Sequence, residues 1–220
     1  MPTQTTASKR NKTPKSKGIF ITFEGGEGVG KSSLIQEVAK RLTQEKIAHI
    51  ATGEPGGTPR GQELRRWLQA SKWPSVAEFL LYSADRSLHV EEVIRPALAQ
   101  GKWVRCDRFV DSSRVYQGQA GGLNRLFIEI VSTQCTGGIE PDLTFLLDCD
   151  LDVSMGRLVG REVLSHYDQA KRAFHEKVRS GFLALAALNS DRIVVLDSTA
   201  PIAELVTQVW DTIKERVNGK

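Results

Sequence analysis

The chain has 220 residues, 40% of them hydrophobic and 25% charged, enough for one α/β domain with a substantial core and too few for two large ones. No apolar run approaches the roughly 20 residues that span a bilayer, which sets a membrane-spanning protein aside. The net charge of +4 comes from one end: residues 1–17 hold Lys9, Arg10, Lys12, Lys15 and Lys17 and no acid, and without them 25 basic residues face 26 acidic ones. The charge therefore does not point to a nucleic-acid-binding face. Residues 1–17 are rich in Thr, Lys and Ser, lack the apolar segment of a secretory signal, and read as a disordered basic tail before a domain at 18–220.

In chain order, strands are predicted at 18–23 (GIFITF), 47–51 (IAHIA), 102–106 (KWVRC), 143–148 (LTFLLD) and 192–197 (RIVVLD). Helical patterns lie between them, near 31–46, 75–99, 123–135, 168–188 and 201–217, the last with Pro201 at its start. Strands that are continuously apolar rather than alternating suit a parallel sheet covered by helices on both faces. In that architecture ligands bind beyond the carboxyl ends of the strands. The segments 24–33, 52–58, 107–117 and 148–161 would share that rim, and each is rich in Gly, Arg, Asp or Ser. Cys106, Cys135 and Cys149 are scattered, without zinc-site spacing, and read as free thiols in a reducing compartment.

Gly25-Gly26-Glu27-Gly28-Val29-Gly30-Lys31-Ser32 matches GxxxxGK[ST] between a predicted strand and a predicted helix, which is the context this phosphate-binding motif requires. Its glycines let backbone N–H groups turn toward anionic oxygens at a helix N-terminus. Residues 25–33, including Ser33, are therefore candidates to hold the ATP phosphates, with Lys31 on the β and γ groups and Ser32 on Mg²⁺. The chain has no NKxD or DxxG element of a GTPase and no LSGGQ-like signature of a transporter ATPase. A small-molecule kinase remains, and it needs an acceptor site.

FEGGEGVGKSS, EPGGTPRGQELR (54–65), FLLYSADRSLHV (79–90), CDRFVDSSRVYQG (106–118) and PDLTFLLDCD (141–150) occur in an order and at a spacing that resemble the thymidylate kinase (dTMP kinase) family, the bacterial form in particular. The resemblance covers nearly all of 18–220 and implies a P-loop NTPase fold with a five-stranded parallel sheet and a short lid at about 156–168. It implies transfer of the ATP γ-phosphoryl group to dTMP in the cytoplasm, Mg²⁺ as the metal, and a homodimer.

Residue by residue, the resemblance implies that Arg108 clamps the acceptor monophosphate and that Asp107 lies near Mg²⁺ or its waters. Tyr82 and Arg86, four apart on one helix face, would stack on thymine and hydrogen-bond its edge. Arg65 would reach the same phosphate, and Ser112, Tyr116 and Gln117 would line the deoxynucleotide pocket. Tyr116 would crowd a ribose 2′-hydroxyl, and Glu27 would face the sugar 3′-hydroxyl. A related kinase for a deoxynucleoside would instead need a base for a neutral hydroxyl, with Glu24 available. A non-catalytic nucleotide-binding module is the other alternative.

The sequence departs from the family pattern at three places. Gly53 and Gly121 stand where an arginine is usual. The family's phosphate loop either carries an arginine or has glycine there and places arginines in a lid; Gly28 puts this chain in the second kind. The usual Asp-Arg-x-Glu run of the lid appears as Ser165-His166-Tyr167-Asp168. Arg161 is taken as the lid cation, with Arg157 second and His166 as a solvated loop residue. A working but slow enzyme is the expectation.

Overall fold

A computed structural model describes residues 18–159, 167 and 170–217 of the chain. Its strands are β1 (Phe20–Glu24), β2 (His49–Gly53), β3 (Trp103–Asp107), β4 (Leu143–Asp148) and β5 (Ile193–Asp197). They pair in parallel throughout, in the order β2-β3-β1-β4-β5. These are the five strands read from the sequence, none displaced by more than two residues. The helices are α1 (Lys31–Gln44), α2 (Pro59–Ala70), α3 (Ser75–His89), α4 (Arg95–Ala99), α5 (Val110–Ser113), α6 (Arg125–Thr136), α7 (Leu151–Gly156), α8 (Arg172–Leu188) and α9 (Ile202–Val217).

Alternation along β1 divides the core. Ile21 and Phe23 face α1 and α9 and pack with Leu34, Val38, Leu42, Leu205, Val209 and Ile213. Phe20 faces the other way, against Val90, Ile94, Val104 and Cys106. A third cluster joins Leu146 to Val115, Val178 and Phe182 under α8. Helices therefore cover both faces, and the three inner strands, β3, β1 and β4, bury side chains on both. Cys106 and Cys149 are buried and Cys135 half-buried, all three as free thiols.

The sequence reading missed or simplified four helical features. α2 is not among the helical patterns of the sequence, although it carries a start signal: Thr58 caps it by accepting from Gly61 N at 2.9 Å, and Pro59 follows. The single helix expected over 75–99 is interrupted by a π-helical turn at Val90–Ile94. Pro96, just beyond, lacks an N–H and cannot continue the regular ladder, so the backbone widens there. The rim segment 107–117 is not open loop but α5 running into a second π-helical stretch, Arg114–Ala120. α7 was not anticipated, and α8 begins at Arg172.

β1 sits at the centre of the sheet with β3 and β4 on either side, so the loop from Gly25 to Gly30 leaves the sheet where a crevice opens between neighbouring crossovers. The carboxyl ends of β2 and β3, at Gly53 and Asp107, are in register beside it.

Candidate active site

The loop after β1 turns through positive φ at Gly25, Gly28 and Gly30 and delivers Lys31 to the first position of α1. Lys31 is buried, and its Nζ donates to the loop's own carbonyls, Gly25 O at 3.0 Å and Gly26 O at 2.7 Å. Burial lowers its pKa to about 8, reinforced by the Arg108 guanidinium and partly offset by Glu27 and Asp107. Ser32 and Ser33 are exposed at the helix start. Val29 contributes backbone only, because its side chain packs into the core.

Arg108 follows β3 in a left-handed backbone conformation, φ 69°, that side-chain-bearing residues rarely adopt. Its backbone N–H donates to Phe23 O at 3.0 Å, which ties it to β1. Its Nη1 donates to Gly25 O at 3.0 Å and Ser112 Oγ at 3.1 Å. Its Nη2 donates to Glu27 Oε1 at 2.8 Å and Tyr116 Oη at 3.3 Å. Tyr116 in turn donates to Glu27 Oε1 at 3.0 Å, and the guanidinium carbon lies 5.1 Å from the Tyr116 ring centroid. Burial works against the Glu27 charge, but Arg108 and Lys31 beside it hold the carboxyl down at about 2. The residues expected at the acceptor, Arg108, Ser112, Tyr116 and Glu27, thus form one connected group against the phosphate loop.

Tyr82, Arg86, Arg65 and Gln117 also line this space. Arg86 is fully buried; Arg65 is exposed and donates to Pro55 O at 3.1 Å. Burial, and next Glu78, raise the pKa of Tyr82. Gln117 Nε2 donates to Tyr167 Oη at 2.9 Å and Glu78 Oε2 at 3.2 Å, and Tyr167 donates to Glu78 Oε2 at 2.6 Å. One cavity of about 770 Å³ runs from residues 27–33 of the phosphate loop to Tyr82, Arg86, Arg108, Tyr116, Gln117 and Tyr167. Arg161 and most of the expected lid lie outside the described residues. Arg157, at the end of α7, donates to Ser198 O at 3.1 Å and lies against Gly30.

The arrangement fits a nucleoside triphosphate with Mg²⁺. Backbone amides and a buried lysine surround the loop, and Asp107 Oδ1 is buried without a hydrogen-bond partner beside it. Among the described residues no group of three His, Cys, Asp or Glu side chains could cage an ion. That suits a metal bound by one or two protein ligands and by substrate phosphates.

Glu24, Glu54, Glu78, His89 and Tyr167 are polar residues in or behind the site to which the sequence reading assigned no role in dTMP binding. Glu24 accepts from Phe109 N at 2.8 Å and Ser112 Oγ at 2.6 Å, is 1% exposed, and does not line the cavity. It is therefore poorly placed as a base for a nucleoside hydroxyl. Burial, and next the Asp111 charge, push its pKa up to about 7 from 4.5. A raised carboxyl pKa means the folded state holds a proton that the unfolded state has released, so this contribution to stability is full below pH 4.5 and is lost as pH rises through about 7. Asp85, raised to about 6 mainly by burial, acts in the same direction. The thermal midpoint should fall between pH 5 and 8, and Glu24→Gln should flatten that slope by about 3 kcal/mol over the window. Parallel melting curves for the two proteins would refute the assignment.

Comparison with known proteins agrees with this geometry. The family model described as thymidylate kinase matches residues 23–209. A thymidylate kinase of Afipia carboxidovorans is 40% identical over 217 residues, covering 96% of this chain and 95% of that protein. Those of Deinococcus radiodurans and Caulobacter vibrioides are 42% and 40% identical, covering 91% and 92% of this chain and 98% and 99% of theirs. With a phosphate loop and an arginine-centred acceptor site opening into one cavity, and with these matches running through nearly the whole domain, the chain belongs to the thymidylate kinase family.

Proposed function

We propose that the chain is an ATP:dTMP phosphotransferase, which moves the γ-phosphoryl group of ATP to the 5′-monophosphate of dTMP and releases dTDP and ADP. The observation that carries this reading is the single cavity shared by the phosphate loop and the Arg108–Glu27–Tyr116 group. A donor phosphate held at Lys31 and an acceptor phosphate held at Arg108 would meet inside it. The acceptor oxygen is already anionic, so catalysis needs positioning and charge neutralisation rather than a strong base.

Each residue has a distinct part in this reading. Lys31 leaves the loop carbonyls for the donor phosphates. Arg108 offers its planar fork to the acceptor dianion, giving up some of its present contacts, and Arg65 approaches from the cavity rim. Tyr82 and Arg86 take the base, and Tyr116, Gln117, Ser112 and Glu27 take the sugar. Ser32 and Asp107 would hold Mg²⁺, which would supply charge neutralisation to the substrate phosphates. Arg161, from a lid at about 156–168, supplies a further cation; like it, the basic segment 1–17 lies outside the described residues. A homodimer would use α3 and α6, where Leu80, Leu126 and Ile130 are exposed. The reaction belongs in the cytoplasm, as the family resemblance implies. No described helix is long and apolar enough to cross a membrane.

Coupled ADP release on dTMP, dUMP, dCMP, AMP and thymidine tests the reading. The expected result is fastest turnover on dTMP. Best turnover on thymidine would make this a nucleoside kinase, and ATP and dTMP binding without ADP release would make it a binding module.

A further inference from the structure

Arg86 is buried to 2% exposure yet lines the cavity, and its guanidinium is held on two of its three nitrogens. Nε donates to Glu54 Oε2 at 2.8 Å and Nη2 to Phe109 O at 3.1 Å, while Nη1 is buried and has no hydrogen-bond partner. The Glu54 side chain is 3% exposed, and its other oxygen pairs with Nδ1 of His89, itself fully buried, at 2.9 Å. Nε2 of His89 meets Thr52 Oγ1 at 2.5 Å. The Nδ1–H tautomer satisfies the network: His89 donates to Glu54 and accepts the Thr52 hydroxyl. The loop after β2 closes tightly over this ring, since a Cβ at Gly57 would collide with the His89 imidazole.

We propose that Glu54 and His89 are positioning residues: the chain Thr52–His89–Glu54 fixes the rotation of Arg86 and presents its free Nη1 to the edge of the acceptor base. The inference rests on the reading of the cavity as the dTMP site. An arginine nitrogen can only donate, so an Nη1 held in one place accepts a base with a carbonyl at that edge and rejects one with an amino group. An arginine free to swing would discriminate less, because it could turn its donors away from the amino group. Glu54 comes from the loop after β2 and His89 from the last turn of α3, so base selection depends on two side chains that act only through Arg86.

Steady-state kinetics on the full chain test this. Glu54→Ala and His89→Ala should each raise KM for dTMP about tenfold, the worth of one hydrogen bond to a charged group. Both should narrow the dTMP-to-dCMP preference while leaving KM for ATP within about twofold. His89→Asn, whose amide nitrogen reaches the Nδ1 position, should restore the preference. His89→Gln, whose amide reaches only the Nε2 position, should not. If the alanine variants do not fold, the Asn and Gln pair carries the test, and equal preference in those two overturns the inference. Arg86→Ala runs alongside. Lost discrimination in Arg86→Ala with full discrimination in the Glu54 and His89 variants overturns the positioning role alone. Unchanged discrimination in Arg86→Ala overturns the base-site reading and the inference with it.

Discussion

Replacing Arg108 with alanine is expected to lower kcat/KM for dTMP by about 10³-fold, with KM for ATP changed far less. The backbone at Arg108 is held in its left-handed conformation by the hydrogen bond to Phe23 O and by Glu24 on the next residue's N–H, at a cost of about 1–2 kcal/mol. A structure that maintains such a conformation aims the side chain. That side chain reaches Gly25, Glu27, Ser112 and Tyr116 at once, which places it between the two ends of the cavity. Arg108→Lys should recover little, because an ammonium is a single point charge and cannot bridge Glu27, Ser112 and a phosphate together. Alanine should also release Glu27: without the guanidinium its carboxyl pKa rises from about 2, since burial then acts with less opposition. Separate KM values for dTMP and ATP, with a titration of Glu27 by NMR, check both effects. A variant within tenfold of wild type on dTMP would remove Arg108 from the clamp.

Why some of this could be read from the sequence and some could not has a physical origin. Buried parallel strands are apolar on both faces, so LTFLLD announces β4, and its ends at Leu143 and Asp148 are where the sequence reading put them. The phosphate loop is local, nine consecutive residues with one geometry. Arg108, Ser112 and Tyr116 are four apart on a winding segment, and their spacing brings them together even though the sequence does not reveal the helix that carries them. The Glu54–His89 and Glu78–Tyr167 pairs leave no such mark. Their partners are 35 and 89 residues away in the chain, and each side chain taken alone resembles a solvated polar residue. Only the fold shows that Glu54 and His89 are buried and that each needs the other. α2 was concealed differently. Its Thr58-Pro59 start follows directly on two glycines, which mask the cap in the sequence pattern.

The second large effect is expected at Gly28. An arginine at this position in the family's other type of phosphate loop suggests that Gly28→Arg would supply a missing cation. Here it should instead lower kcat/KM by about 10²-fold or more and destabilise the fold by about 2 kcal/mol or more. Gly28 has φ 73°, and a Cβ there would collide with the backbone oxygen of Ser154 in α7. Ser154 is buried and cannot retreat, because its N–H donates to Asp150 O at 3.1 Å and its hydroxyl to Leu151 O at 3.1 Å. Since the Cβ rather than the guanidinium collides, Gly28→Ala should do nearly the same damage. Gly53→Arg is the informative contrast. A Cβ at Gly53 lies 3.1 Å from Asp107 O and 3.2 Å from Asp107 Cβ, which is tight but within reach of a small shift, and the residue's φ is ordinary. Gly53→Arg should therefore fold and keep kcat/KM within about tenfold of wild type. Melting curves and kcat/KM for the three variants distinguish the cases. Wild-type activity in Gly28→Ala would show that α7 yields, and that the phosphate loop can accept side chains this structure leaves no room for.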